Sequence, residues 1–306
     1  MSEATGAPPA SRPLLALAYM LGATLSFTMM AVAGRELAGA LDTFEIMTYR
    51  SALGLLIVVG IAWARGLLPD IRARRLKLHV ARNLFHFAGQ NLWFYAVALI
   101  PFSQLFAFEF SVPIWVALVA PFFLAEKLTR TRLAAAALGF VGILMVARPD
   151  QFDWNPGLLA ALLAAFAFTG AGIGTKLLTR TEATVSIMFW LTAMQLVFGL
   201  VTAGWDLEIA VPRGADAAWV VAVGICGLAA HFCLTTALSL APATVVFPLD
   251  FARLPIVSVI GMVFYDEPLV ALVFAGALVI FAANYVNVRA ETRAAVSPSR
   301  PAPPTR

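Results

Sequence analysis

Apolar stretches about twenty residues long follow one another almost without interruption, and each is long enough to cross a bilayer as a helix. They lie near residues 14–34, 44–64, 79–99, 103–124, 132–148, 157–178, 184–204, 217–238, 243–264 and 269–288. Charged residues make up 12% of the chain and apolar residues 61%, against roughly 25% and 45–50% in soluble domains. A water-soluble globule cannot hide so much apolar surface, and lipid cannot satisfy open backbone N–H and C=O groups. The expectation is therefore an all-α polytopic membrane protein with ten transmembrane helices. The net charge of +4 does not point to nucleic acid, because the basic residues sit in short links rather than on one face. Cys226 and Cys233 lie seven residues apart in one span, about 10 Å along a helix axis, too far to bridge each other. Ala31-Val32-Ala33 resembles a signal-peptidase site, but the apolar run before it is longer than a signal core, so the first span is expected to stay.

Basic residues set the expected orientation. With both termini cytoplasmic, 16 of the 21 Lys and Arg residues fall on inside segments, among them Arg65, Arg72, Arg74, Arg75, Lys77, Lys127, Arg130 and Lys176. Only Arg35, Arg148 and Arg213 fall outside, while Arg50 and Arg253 lie within spans. The expected location is the bacterial inner membrane, with disordered ends at 1–13 and 289–306.

Sliding the sequence against itself by 141 residues aligns its halves without a gap. Ala96, Leu99, Pro101, Phe106, Phe110, Val116, Phe123 and Glu126 fall on Ala237, Leu240, Pro242, Phe247, Phe251, Val257, Phe264 and Glu267. The same offset sets Arg35 on Lys176 and Arg148 on Arg289. Five spans per half is an odd number, so the second half is expected to be inverted relative to the first. The repeats are placed at 14–148 and 157–288, joined by a linker at 149–156.

Each half carries a proline before its fourth helix and a glutamate closing it (FFLAEKLT and VFYDEPLV), followed by a small-residue-rich fifth helix (LAAAALGFVGILMVARP). In these features the chain resembles the drug/metabolite transporter superfamily, and most closely its bacterial EamA-type members. The resemblance implies a secondary transporter whose central cavity lies between the halves and is lined mostly by the first, third and fourth helices of each. The expected substrate is a small polar or amphipathic solute, amino-acid-like or drug-like, carried by alternating access with protons as a candidate coupling ion. Export is the first reading of direction and import the alternative. A channel and an intramembrane enzyme are the other classes. No G-x-S-x-G elbow, H-E-x-x-H motif, Cys/His metal cluster or Gly-rich phosphate loop supports an enzyme, and no cofactor is expected.

The polar residues inside the spans are the candidate site. A charge at mid-bilayer costs about 2.5–3.5 kcal/mol on insertion scales, so such groups usually face a cavity or a partner. Glu109 falls on Asp250 at the same offset, which suggests a site on a pseudo-twofold axis. Arg253, three residues after Asp250, is the expected neutraliser of that acid, and Arg50 the expected partner of Glu109. By this reading Glu109 is the less compensated acid and the titrating or substrate-facing one. Gln90 falls on His231, and Arg82, His86 and Gln90 stand four apart on one helix face beside Asn91. His86 and His231 are candidate proton carriers. Pro113, Pro248 and Pro255 are candidate kinks or gates within the fourth and ninth helices. Acids, Arg, His, amides and aromatics together would suit a zwitterionic or aromatic solute.

Overall fold

A computed structural model describes residues 13–124, 129–147, 155–178, 181–205, 208–240 and 253–296. Among these are eleven α-helices: α1 Pro13–Glu36, α2 Thr43–Ala64, α3 Leu76–Leu99, α4 Phe102–Glu109, α5 Val112–Leu124, α6 Arg130–Ala147, α7 Pro156–Leu178, α8 Thr184–Ala203, α9 Ala215–Leu240, α10 Arg253–Tyr265 and α11 Ala271–Val296. Five helical segments are both long and apolar enough to cross a membrane: Leu14–Glu36, Thr43–Ala64, Pro156–Thr175, Thr184–Ala203 and Ala215–Leu234. At 24 residues α3 is equally long, but its inward face is polar, with His79, Arg82, Asn83, His86, Gln90 and Asn91 all buried.

The sequence predicts a single fourth helix over 103–124; the structure breaks it at Phe110–Ser111 into α4 and α5. The break has a local cause. Pro113 has no N–H to give the Glu109 carbonyl. The chain tightens instead, with Ser111 N donating to Phe108 O at 3.0 Å and Ile114 N to Ser111 O at 2.9 Å. Asn284 of α11 then donates its side-chain N–H to the Phe110 carbonyl at 2.8 Å, supplying a partner that lipid could not. Pro255 is an exposed residue in the third position of α10. Pro248 and Asp250 lie outside the described residues.

Local signals explain other boundaries. Asp42 and Glu45 form a capping box at the start of α2, each side chain bonded to the other's backbone N–H at 2.8 Å. Glu45 also accepts the Ala210 N–H at 2.6 Å, tying the α8–α9 link to α2.

The most extensive helix contacts are α1 with α9, α3 with α7, α2 with α8, and α6 with α11. Glycines set several of these approaches. A Cβ on Gly54 would lie 3.0 Å from Thr192, while Gly199 meets Thr48, so α2 and α8 run antiparallel. Where α6 crosses α11, a Cβ on Gly142 would stand 2.7 Å from the Gly276 carbonyl oxygen, and one on Gly276 would meet Met145 and Val146. Helix backbones approach this closely only where side chains are missing.

Gly142→Ala is expected to lower the stability of the purified protein by about 1–3 kcal/mol through overpacking at that crossing. Gly172→Ala, with open space at the site of its new methyl group, should change it by no more than about 0.5 kcal/mol. Thermal unfolding in detergent compares the two.

Candidate functional site

Two polar clusters lie inside the bundle. The first is built around Glu109, the last residue of α4. A helix C-terminus carries partial negative charge, so a carboxylate there needs compensation. It comes from two directions: Arg253 Nη2 donates to Glu109 Oε1 at 3.0 Å, and Trp93 Nε1 donates to Oε2 at 2.9 Å. The Arg253 side chain is buried, and its guanidinium lies 4.8–5.2 Å from the ring centres of Phe27, Phe106 and Phe110. An aromatic cage of this kind stabilises a desolvated cation while leaving its N–H groups to point at an anion. The pair therefore joins α4 to α10 across the chain's two halves, with α3 contributing the indole.

This geometry corrects two expectations. Arg50 is not the partner of Glu109, because Arg253 holds that place. Glu109 is also not a weakly compensated acid, because it has a guanidinium and an indole N–H on its two oxygens. Arg253 makes a contact 144 residues distant in sequence, while the Asp250 expected beside it lies outside the described residues.

The second cluster is basic. Arg50 of α2, Arg82 and His86 of α3, and His231 of α9 converge closely enough to interact electrostatically. The rings of His86 and His231 stand 5.8 Å apart, centre to centre. Gln195 of α8 lies 2.6 Å from His86 Nδ1, a hydrogen bond. Arg82 donates from Nε to Thr175 at 3.0 Å and from Nη1 to Asn83 at 2.8 Å. Of the remaining candidates, Asn91 donates to the Phe87 carbonyl at 2.8 Å, and Gln90 is buried with its Oε1 unpartnered. Asn91 thus uses its N–H on its own helix, while its Oδ1, like Gln90 Oε1, is buried without a hydrogen-bond partner.

Several residues here were not singled out from the sequence. Gln195 is a lone amide in the apolar run of α8, and that isolation was the available signal. Asn284 carried a similar signal. His79, fully buried, has Glu182 at 3.9 Å. Arg35 and Glu267 stood out as repeat matches and helix-end charges, not as partners, yet they form an ion pair. Arg35 also donates to the Val97 and Ile100 carbonyls, and Glu267 accepts the Phe102 N–H at 2.9 Å. This clasp ties the end of α1, the α3–α4 link and the segment after α10 together.

The sequence profile of the EamA-like transporter family matches residues 14–148 and again 155–289. The starts of the two matches, 14 and 155, stand 141 residues apart. The chain is 25% identical over 283 residues to an S-adenosylmethionine uptake transporter of Rickettsia felis, covering 92% of this chain and 95% of that protein. It is 31% identical over 221 residues to a riboflavin transporter of Brucella anthropi, covering 71% and 78% respectively. A riboflavin transporter of Rhizobium johnstonii is 26% identical over 300 residues, covering 96% and 97%. A solved crystal structure superimposes with a TM-score of 0.64 at 19% identity, covering 91% of this chain and 98% of that one.

A double-mutant cycle tests the first cluster. Arg253→Met alone leaves Glu109 without its countercharge and should destabilise the protein more than Arg253→Met combined with Glu109→Gln. The expected coupling is about 0.5–3 kcal/mol, read from the four melting transitions.

Proposed function

The chain belongs to the EamA-like transporter family, and from that premise we propose that it is a ten-helix secondary transporter importing a small organic metabolite by alternating access. It is a transporter and not an enzyme, as its family and relatives are. The repeated family match carries the mechanistic part of the reading. Two copies of one unit, 141 residues apart, supply the two halves that alternating access exchanges.

Helix boundaries support the same division. α2 starts at Thr43 and α8 at Thr184, α3 ends at Leu99 and α9 at Leu240, and α6 starts at Arg130 and α11 at Ala271. The second half is read as inverted: α2 runs antiparallel to its counterpart α8, and α6 crosses α11 so that Gly142 meets Ile280 while Val146 meets Gly276. Exchange of the halves also leaves the main contacts unchanged, since α1 packs on the counterpart of α3 and α3 on the counterpart of α1. Both termini are placed in the cytoplasm by the excess of basic residues on that side.

Import is the direction we favour over the export expected from the sequence, because relatives covering nearly the whole chain are named as uptake transporters. S-adenosylmethionine and riboflavin are the first solutes to try, with amino acids beside them. Glu109 is assigned to the transport path: it lies at a broken helix and joins the halves through its contact with Arg253. Asp250 is assigned a paired role from the 141-residue offset alone.

Purified protein in liposomes, offered these solutes with and without an imposed pH gradient, tests the reading. Saturable uptake of at least one, accelerated by the same solute trapped inside, is expected. Conductance that persists without solute would overturn it in favour of a channel. Glu109→Gln and Asp250→Asn should lower uptake at least tenfold per molecule of folded protein, a larger loss than either causes in the yield of folded protein.

A further inference from the structure

The link between α2 and α3 concentrates charge that the fold does not balance. From Arg65 to Lys77 it carries five cations, Arg65, Arg72, Arg74, Arg75 and Lys77, against one acid, Asp70. All six are exposed, and among the described residues none of the five cations has an ion pair. The side chains of Arg72 and Arg75 donate to the Pro69 and Leu177 carbonyls, each at 3.3 Å. Among the described residues those of Arg65, Arg74 and Lys77 make no hydrogen bond. Five positive groups therefore face outward with nothing of opposite sign bound to them.

Basic residues beside a span can serve orientation alone, and a loose, solvated link is enough for that. This link is held in place instead. Ser186 of α8 accepts the Arg72 N–H at 3.1 Å and donates its hydroxyl to the Arg72 carbonyl at 2.7 Å. Trp190 Nε1, one helical turn on, donates to the same carbonyl at 2.9 Å. Two side chains of the second half thus grip both peptide groups of one residue in the first. Past Arg75, α3 begins, and Leu76, Val80 and Leu84 stand four apart as an exposed apolar stripe. Trp63, in the last turn of α2, is also exposed, as suits a ring at headgroup level. The surface has two parts in a fixed order, cations at the helix start and an apolar track leading from them along α3. A phospholipid has the same two parts in the same order.

We propose that the α2–α3 link is a docking surface for an anionic phospholipid. Its phosphodiester headgroup lies against Arg74, Arg75 and Lys77, and an acyl chain follows Leu76, Val80 and Leu84. Charge complementarity selects the headgroup: an anionic lipid brings the countercharge that the link lacks, whereas a zwitterionic one carries its own cation to the same place. Because the link is pinned to α8, the bound lipid also steadies a contact between the two halves. The surface depends on the chain lying in a membrane and not on which solute it carries.

Full-length protein in an uncharged detergent is titrated with phosphatidylglycerol or phosphatidylcholine, and native mass spectrometry reads occupancy by the first lipid. Phosphatidylglycerol is expected to bind about tenfold more tightly than phosphatidylcholine, and less tightly as salt screens the cations. Arg74→Gln with Lys77→Gln removes two charges without breaking a hydrogen bond and should weaken phosphatidylglycerol about tenfold, leaving phosphatidylcholine unchanged. Arg213→Gln with Arg289→Gln removes the same net charge from exposed positions elsewhere and should bind phosphatidylglycerol as the parent does. Equal affinity for the two lipids in the parent, parent-like affinity in Arg74→Gln/Lys77→Gln, or the same loss in Arg213→Gln/Arg289→Gln each overturns the proposal. Displacement of the lipid by an equal concentration of glycerophosphoglycerol, the headgroup without chains, overturns it in favour of a site for a soluble phosphodiester. If Arg74→Gln/Lys77→Gln does not fold, Arg65→Gln with Lys77→Gln decides. No solute is transported in this measurement, so its outcome is separate from that of the uptake experiment.

Discussion

The contact between Glu109 and Arg253 organises the interior, because neither group can be left alone in a helical bundle surrounded by hydrocarbon. Glu109 ends a half-helix whose dipole opposes its charge, and Arg253 sits among three aromatic rings with little water. Their pairing at 3.0 Å joins α4 to α10, and the Trp93 indole brings α3 into the same contact. The break at Phe110–Ser111 makes this arrangement possible. A continuous helix would satisfy its own carbonyls, whereas the broken one needs Asn284 to cover the Phe110 oxygen. One proline thus links a backbone irregularity, an ion pair and a cross-bundle hydrogen bond.

The two polar clusters differ in how their charge is balanced. Around Glu109 the countercharge is internal, and the site is closed upon itself. Around Arg50 and Arg82 the donors are partly spent on Thr175 and Asn83, and Gly227 packs directly against Arg50. The Arg35–Glu267 clasp adds a third ionic contact, at helix ends rather than within the bundle, where it joins three segments by charge and backbone hydrogen bonds together.

Small residues carry the packing between halves. Gly54, Gly142, Gly199 and Gly276 each stand where two helices approach too closely for a side chain. Lipid tails are as apolar as Leu, so close backbone approach and hydrogen bonding hold such helices together rather than hydrophobic burial. The same logic places Gly227 of α9 directly against the Arg50 side chain of α2.

Length and hydropathy alone determined that this chain is a bundle of membrane helices, because the requirement for about twenty apolar residues per crossing is local and additive. The duplication was also legible, since an offset of 141 residues aligns Pro101 with Pro242 and Glu126 with Glu267 without any knowledge of contacts. That polar residues in α3 and α4 mattered could be read for the same reason: each stands out against an apolar background. Which groups meet was decided by tertiary structure. Sequence position left Glu109 to Arg50, but helix packing brought Arg253 to Glu109 and set Arg82, His86 and His231 near Arg50. The fourth helix looked continuous because hydropathy is blind to a single missing N–H, and only the backbone around Pro113 shows the break. Periodicity places a side chain on a face of its own helix; the partner on the facing helix depends on crossing angle and register, which no single segment contains.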